Sequence, residues 1–191
     1  MDTLRLFWAV TFPEEIRDKI AGVQAAFRKL PLNVKWVETE NLHLTIRFIG
    51  ATDKALVEPL LSTTKGRLAE INAFPLFLRR VGVFPSLKAP RVLWVGVEET
   101  ASLLHLYRLV EEAVRSFGFP PDAKRFSPHV TLGRFRTGAN GALLRQAMGE
   151  MGDVELGKFE VGGIELIASE LKLSGPVYSP VGRIDFGCAS G

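Results

Sequence analysis

Asn41-Leu42-His43-Leu44-Thr45-Ile46-Arg47-Phe48 and Ser127-Pro128-His129-Val130-Thr131-Leu132-Gly133-Arg134-Phe135 repeat one another, and no other stretches of this chain do so. Two of the three histidines lie inside them. Each is a His-x-Thr-apolar unit in an alternating run. Side chains along a strand point to opposite faces with period two, so His and Thr share one face and the apolar residues take the other. A polar pair thus rides on a buried scaffold. A lone His-x-Thr in a strand is more often a satisfied structural residue than a catalyst. Here the repeat extends to an apolar fourth position, an Arg, a Phe and a polar or proline-bearing entry, which shifts the balance toward chemistry.

Outward from these units, strands and helices alternate. Pro13-Glu14-Glu15 opens a helix, with Ile16, Ile20, Val23 and Phe27 following at helical spacing to about Leu30. Val34 to Val37 reads as a short strand and the first unit as another, to Ile49-Gly50. The pattern predicts a helix from Asp53 to Leu68, then strands over Phe74 to Phe84 and Arg91 to Val97 joined by the turn-rich Pro85-Ser86-Leu87-Lys88-Ala89-Pro90. A helix over Ala101 to Phe117 ends at Gly118 before Pro120-Pro121. It carries the third histidine, His105, which has no threonine partner and reads as structural or surface. A short helix near Ala142 to Met148 and strands over Val154–Val161, Ile164–Leu173 and Val177–Phe186 follow. No proline- or glycine-rich linker or low-complexity tract interrupts the chain. The expected fold is α+β, a single body over residues 1–191. It has two pseudo-symmetric lobes of antiparallel sheet with flanking helices around a central cleft, each lobe giving one His-x-Thr strand.

Composition narrows the class. The chain has 191 residues, 47% of them hydrophobic, enough for a real core and ordinary for a globular protein. Its N-terminal apolar run, Leu4 to Phe12, is too short to span a membrane and lacks a small-residue cleavage site, so it reads as a first strand and the expected location is cytoplasmic. The single Cys188 excludes an intrachain disulfide and a cysteine-based zinc site. A net charge of +3 favours an anionic ligand without approaching a nucleic-acid-coating protein. Arg79-Arg80, Lys88 with Arg91, and Lys124-Arg125 are the local basic clusters. Each taken alone is ordinary surface charge.

Other chemistries find little support. His43 and His129 have no partner at metal-ligand spacing, although nearby Glu38 and Glu40 keep a weak metal alternative open. There is no Gly-x-x-x-x-Gly-Lys loop, no complete dinucleotide fingerprint around Val161-Gly162-Gly163, and no Gly-x-Ser-x-Gly elbow. Two histidines without a metal suit in-line phosphoryl transfer. One imidazole takes a proton from water or a hydroxyl while the opposite imidazolium gives one to the leaving oxygen, and the threonine hydroxyls and nearby cations stabilise charge on the phosphate.

The paired His-Leu-Thr-Ile and His-Val-Thr-Leu resemble the signature of the 2H phosphoesterase superfamily. The surroundings resemble its bacterial and archaeal RNA 2′,3′-cyclic phosphodiesterase branch, also known as 2′-5′ RNA ligase. These include Arg5-Leu6-Phe7, Trp36-Val37, Phe48-Ile49-Gly50, Pro90 to Gly96, Phe126-Ser127-Pro128 and Gly175-Pro176-Val177-Tyr178. The resemblance implies cofactor-free hydrolysis of a terminal RNA 2′,3′-cyclic phosphate, or of a cyclic nucleotide, to a 2′-phosphate, by a cytoplasmic monomer. An RNA 2′-5′ ligase and a non-catalytic RNA-end binder are the alternatives. It makes His43 the proton donor, His129 the acceptor, and Thr45 and Thr131 the phosphate-oxygen donors. It places Arg134 near the phosphate and Phe48 near the nucleobase. Strict alternation puts these last two on the face opposite the histidines, so a bulge or a strand end must re-aim them. Arg47 has the parity of His43 and Thr45 and is expected to be a second cation in the site.

Overall fold

Alternation and helical periodicity translate into nine strands and four helices in this computed structural model, which describes residues 2–136, 141–173 and 175–188. In chain order these are β1 (Thr3–Thr11), α1 (Glu14–Arg28), β2 (Val34–Trp36), β3 (His43–Asp53), α2 (Val57–Arg67), β4 (Phe74–Phe84), β5 (Val92–Val97), α3 (Ala101–Arg115), β6 (His129–Phe135), α4 (Gly141–Met151), β7 (Glu155–Val161), β8 (Gly163–Lys172) and β9 (Gly175–Asp185). The helix expected from Asp53 begins four residues later. β3 runs on to Asp53, whose carboxylate accepts a hydrogen bond from the Ala55 amide and starts a single 3₁₀ turn before α2.

All strand pairing is antiparallel, in the order β7-β4-β5-β6-β3-β1-β8-β9, with β2 added beside β6. The two expected lobes are therefore halves of one sheet, joined edge to edge where β6 meets β3. That seam is narrow. Leu44 opposite Val130 is its ladder contact, and beyond it β6 pairs with β2 instead, through Val34–Phe135, Lys35–Arg134 and Trp36–Gly133. The strands carrying the two His-x-Thr units touch at one point and diverge, which opens a cleft on the sheet face.

The helices cover the other face. Ile16, Ile20 and Phe27 of α1, Leu60 of α2, Leu103, Leu106 and Val110 of α3 and Ala147 of α4 form one apolar cluster with Leu44, Ile46, Val130 and Leu132. These are the residues the alternation assigned to the buried face. Thr100 starts α3 by accepting a hydrogen bond from the Leu103 amide at 3.2 Å, satisfying an otherwise orphaned donor. On the opposite face a smaller cluster of Phe7, Ala9, Ile167 and Tyr178 lies beside the cleft. No helix among the described residues is long and apolar enough to cross a membrane.

Candidate active site

Register at the seam brings the two units together. In an antiparallel pair the positions flanking Leu44–Val130 also face one another, so His43 stands across from Thr131 and Thr45 across from His129. The apolar pair points down to the helices and the four polar side chains point up. A square with histidines at opposite corners and threonines at the other two results.

Both imidazoles are held alike. His43 Nδ1 lies 2.7 Å from the Asn41 carbonyl and His129 Nδ1 lies 2.7 Å from the Ser127 carbonyl. A carbonyl only accepts, so each Nδ1 carries its proton and each Nε2 is left to exchange one. His43 Nε2 lies 3.0 Å from Thr45 Oγ1. Burial disfavours the charged form of both rings and holds both below the ordinary histidine range. The carbonyl bonds oppose this in each case, while charge on His129 adds to it at His43 and the Arg134 guanidinium adds to it at His129.

The ring surroundings differ. His43 packs against Phe7 at 5.0 Å between centroids and meets the edge of Tyr178 at 5.4 Å. His129 meets Phe84 edge-on at 5.0 Å and Trp94 at 6.5 Å. Gly82 makes room for that indole, since a Cβ there would sit 2.1 Å from the Trp94 ring. A cleft of about 450 Å³ runs from His43, Thr45 and Thr131 between Phe48 and Tyr178 on one side and Lys35, Trp36 and Arg134 on the other. His129, packed against Phe84 and Trp94, is not part of the wall of that cleft.

A bulge interrupts each unit just past its threonine. Trp8 pairs with Arg47 and Ala9 with Thr45, leaving Ile46 without an opposite residue. Leu93 pairs with Gly133 and Trp94 with Thr131, leaving Leu132 without one. Two consecutive residues, Ile46-Arg47 and Leu132-Gly133, then face the helices, and the next residue flips upward. Phe48 and Arg134 thereby enter the cleft wall, where the resemblance placed them, through a bulge rather than a strand end. The same flip corrects the expectation for Arg47. It is turned away from the cleft and only 6% exposed, paired with Glu111 of α3 and donating to the Phe48 and Pro120 carbonyls. Parity counted from His43 fails at Arg47 because the bulge adds one residue.

Arg5, Phe7, Lys35 and Tyr178 also line the cleft, and the sequence reading gave none of them a site role, although Arg5, Phe7 and Tyr178 lie in segments that resemble the family. Phe7 alternates with the core residues Leu6 and Trp8, whereas Tyr178 lies between the exposed Val177 and Ser179, and nothing local distinguishes the sheet face that carries the site. Arg5 lies over Phe48 at 5.6 Å, and Lys35 stands opposite Arg134 on the neighbouring strand. Of the basic clusters, Arg79 pairs with Glu98, Arg80 with Asp153 and Arg125 with Glu99, as solvated surface charge does. Glu38 lines the cleft, yet among the described residues no three His, Cys, Asp or Glu side chains converge as metal ligands. A separate groove between α1 and β7, near Lys19 and Glu155, lies away from both histidines.

Comparison with known proteins agrees with this twofold arrangement. The family model described as LigT like Phosphoesterase matches the chain twice, over residues 10–94 and 95–178. A curated RNA 2′,3′-cyclic phosphodiesterase of Methanothermobacter thermautotrophicus is 32% identical over 92% of this chain and 95% of its own. That of Aeropyrum pernix is 40% identical over 84% and 90%. Escherichia coli LigT, solved in complex with 3′-AMP, superposes with a TM-score of 0.77 at 25% identity, covering 97% of this chain and 99% of that one. With two family repeats that together take in both histidine strands and most of the sheet, the chain belongs to the LigT-like phosphoesterase family.

Proposed function

We propose that this protein hydrolyses RNA 2′,3′-cyclic phosphate ends to 2′-phosphomonoesters, with His43 as general acid and His129 as general base. The observation that carries the reading is the crossed square of His43, Thr131, Thr45 and His129, with both Nδ1 atoms tied to carbonyls and the His43 Nε2 set beside the Thr45 hydroxyl. Curated relatives bearing that activity in their names match over most of the chain. Water attacks phosphorus as neutral His129 takes its proton at Nε2. The bond from phosphorus to O3′ breaks, and O3′ takes the proton held at His43 Nε2. The products are a 3′-hydroxyl and a 2′-phosphate.

Thr45, Thr131 and Arg134 stabilise the charge that develops on the non-bridging oxygens. The bound phosphate favours the imidazolium form of His43, offsetting the burial that disfavours it. Phe48 offers its exposed face to the terminal base. No cofactor enters this scheme. Residues 1–191 act in it as one domain, a cytoplasmic monomer whose partner is the RNA end itself.

The test is incubation of purified protein with a short RNA ending in a 2′,3′-cyclic phosphate, followed by identification of the terminus. A 2′-phosphate is expected. A 3′-phosphate would reverse the orientation of the substrate, and joining to a 5′-hydroxyl RNA would replace hydrolysis with ligation.

A further inference from the structure

Tyr178 belongs to β9, three strands removed from β3 through the pairs Ser169–Tyr178 and Arg5–Ser169 and the β1–β3 ladder. At about 4.8 Å between strands a flat sheet would hold its backbone about 14 Å from β3. Its ring is nevertheless 5.4 Å from the His43 ring, edge-on, and 5.2 Å from Phe7. The β8–β9 hairpin, bulged between Leu166 and Ile167, therefore curls over the cleft and delivers a phenol from the far edge of the sheet to the reaction centre.

Three features give that phenol a role beyond packing. Its apolar edge is already satisfied by Phe7, Ala9 and Ile167, which would serve a phenylalanine equally well. Its hydroxyl makes no hydrogen bond to any described residue, whereas both histidines and Thr45 are tied into the site. It also stands near two assigned groups: its ring meets the His43 ring at 5.4 Å, and it lines the same cleft as Arg134, whose charge favours its ionised form. Burial raises the phenol above its ordinary range, so it stays protonated and can donate.

We propose that the Tyr178 hydroxyl is a further donor, in addition to Thr45, Thr131 and Arg134, to a non-bridging oxygen of the cyclic phosphate, on the His43 side of phosphorus. This rests on the phosphodiesterase reading above and extends it from the two threonines to a residue outside both His-x-Thr units. The repeats supply a symmetric square. Tyr178 breaks that symmetry by favouring one of the two non-bridging oxygens, and so fixes which way round the phosphate sits.

Tyr178→Phe keeps the ring and removes only the donor. With an RNA-end 2′,3′-cyclic phosphate it should lower kcat about ten- to a hundred-fold, somewhat less than loss of a principal oxyanion donor, with KM within about twofold. The two 2′,3′-cyclic phosphorothioate diastereomers give the discriminating readout, since sulfur replaces one non-bridging oxygen in each and accepts hydrogen bonds poorly. Wild-type protein should turn over one isomer markedly more slowly than the other, and Tyr178→Phe should close that gap. Unchanged kcat, or a loss shared equally by both isomers, would overturn the proposal. Wild-type protein inactive on the unmodified cyclic phosphate would instead remove the phosphodiesterase reading, and this proposal with it.

Discussion

His43 and His129 share a tether and differ in their neighbours, and predictions at residue scale follow from both facts. His43→Ala and His129→Ala should each lose about 10²–10⁴-fold in kcat, or about 3–5 kcal/mol of barrier, while circular dichroism shows an unchanged fold. Thr45→Val should cost less, because Arg134 stabilises the same charge. A Thr45→Val enzyme as inactive as His43→Ala would contradict that ranking. The profile of kcat/KM against pH should be bell-shaped, one ring charged and the other neutral, with its optimum on the acid side of 6.5, because burial lowers both rings from that value. The same shift links to stability. Below pH 6.5 the unfolded chain takes up protons that the folded rings resist, so stability present above 6.5 falls as pH drops toward the folded values. Urea midpoints at pH 7.5 and 5.0 should therefore differ more for wild type than for the His43→Gln/His129→Gln double variant.

At the scale of the element, two bulges decide what each strand presents, and each is held from beneath by a buried polar side chain. Gln24 of α1 donates to the Leu132 carbonyl at 2.9 Å and to the Val37 carbonyl at 2.7 Å, fastening the β6 bulge to the segment after β2. Arg47 does the same for β3 through the Phe48 carbonyl and Glu111. Arg47→Met should consequently lower stability by about 3–5 kcal/mol, leaving the partly buried Glu111 without its cation, and raise KM by loosening the bulge that aims Phe48 into the cleft. Arg134→Ala should instead lower kcat/KM with the melting temperature intact. Gly133 tests the second bulge. A Cβ there would meet Val34 Cγ1 at 2.4 Å and the Lys35 carbonyl at 3.1 Å, so Gly133→Ala should destabilise by about 1–3 kcal/mol and displace β2 from β6. Loss of activity should accompany it, since Arg134 is the next residue.

Across the whole molecule, charge is sorted by the fold rather than by sequence clustering. The paired Arg79, Arg80 and Arg125 lie outside the cleft wall, while Arg5, Lys35 and Arg134 line it with no carboxylate partner among the described residues. If longer RNA follows the cleft, its affinity should fall with salt. Lys35→Ala should reduce the slope of log K against log salt by about 0.7, the single-strand value for one phosphate contact. Arg79→Ala/Arg80→Ala should leave that slope unchanged. Exhaustive chelation should also leave activity intact. Recovery of a lost activity by a divalent ion would return Glu38 and Glu40 to consideration as ligands.

The chain's own pattern determined the elements, the buried face of each motif strand, the two histidines and their threonines, because period-two alternation and helical spacing are local properties of adjacent residues. The family resemblance, set against that alternation, implied that Phe48 and Arg134 needed re-aiming. Only the tertiary structure decided where the bulges fall, since a bulge is a mismatch between two strands and neither strand encodes it alone. Arg47 was misplaced for that reason. Arg5, Phe7, Lys35 and Tyr178 were invisible to local pattern because the pairing order of the sheet and the curl of the β8–β9 hairpin bring them to the cleft from β1, β2 and β9. Local periodicity says which face of a strand is polar. Which strands share that face is settled by long-range pairing and by the burial of Leu44 against Val130 over the helices.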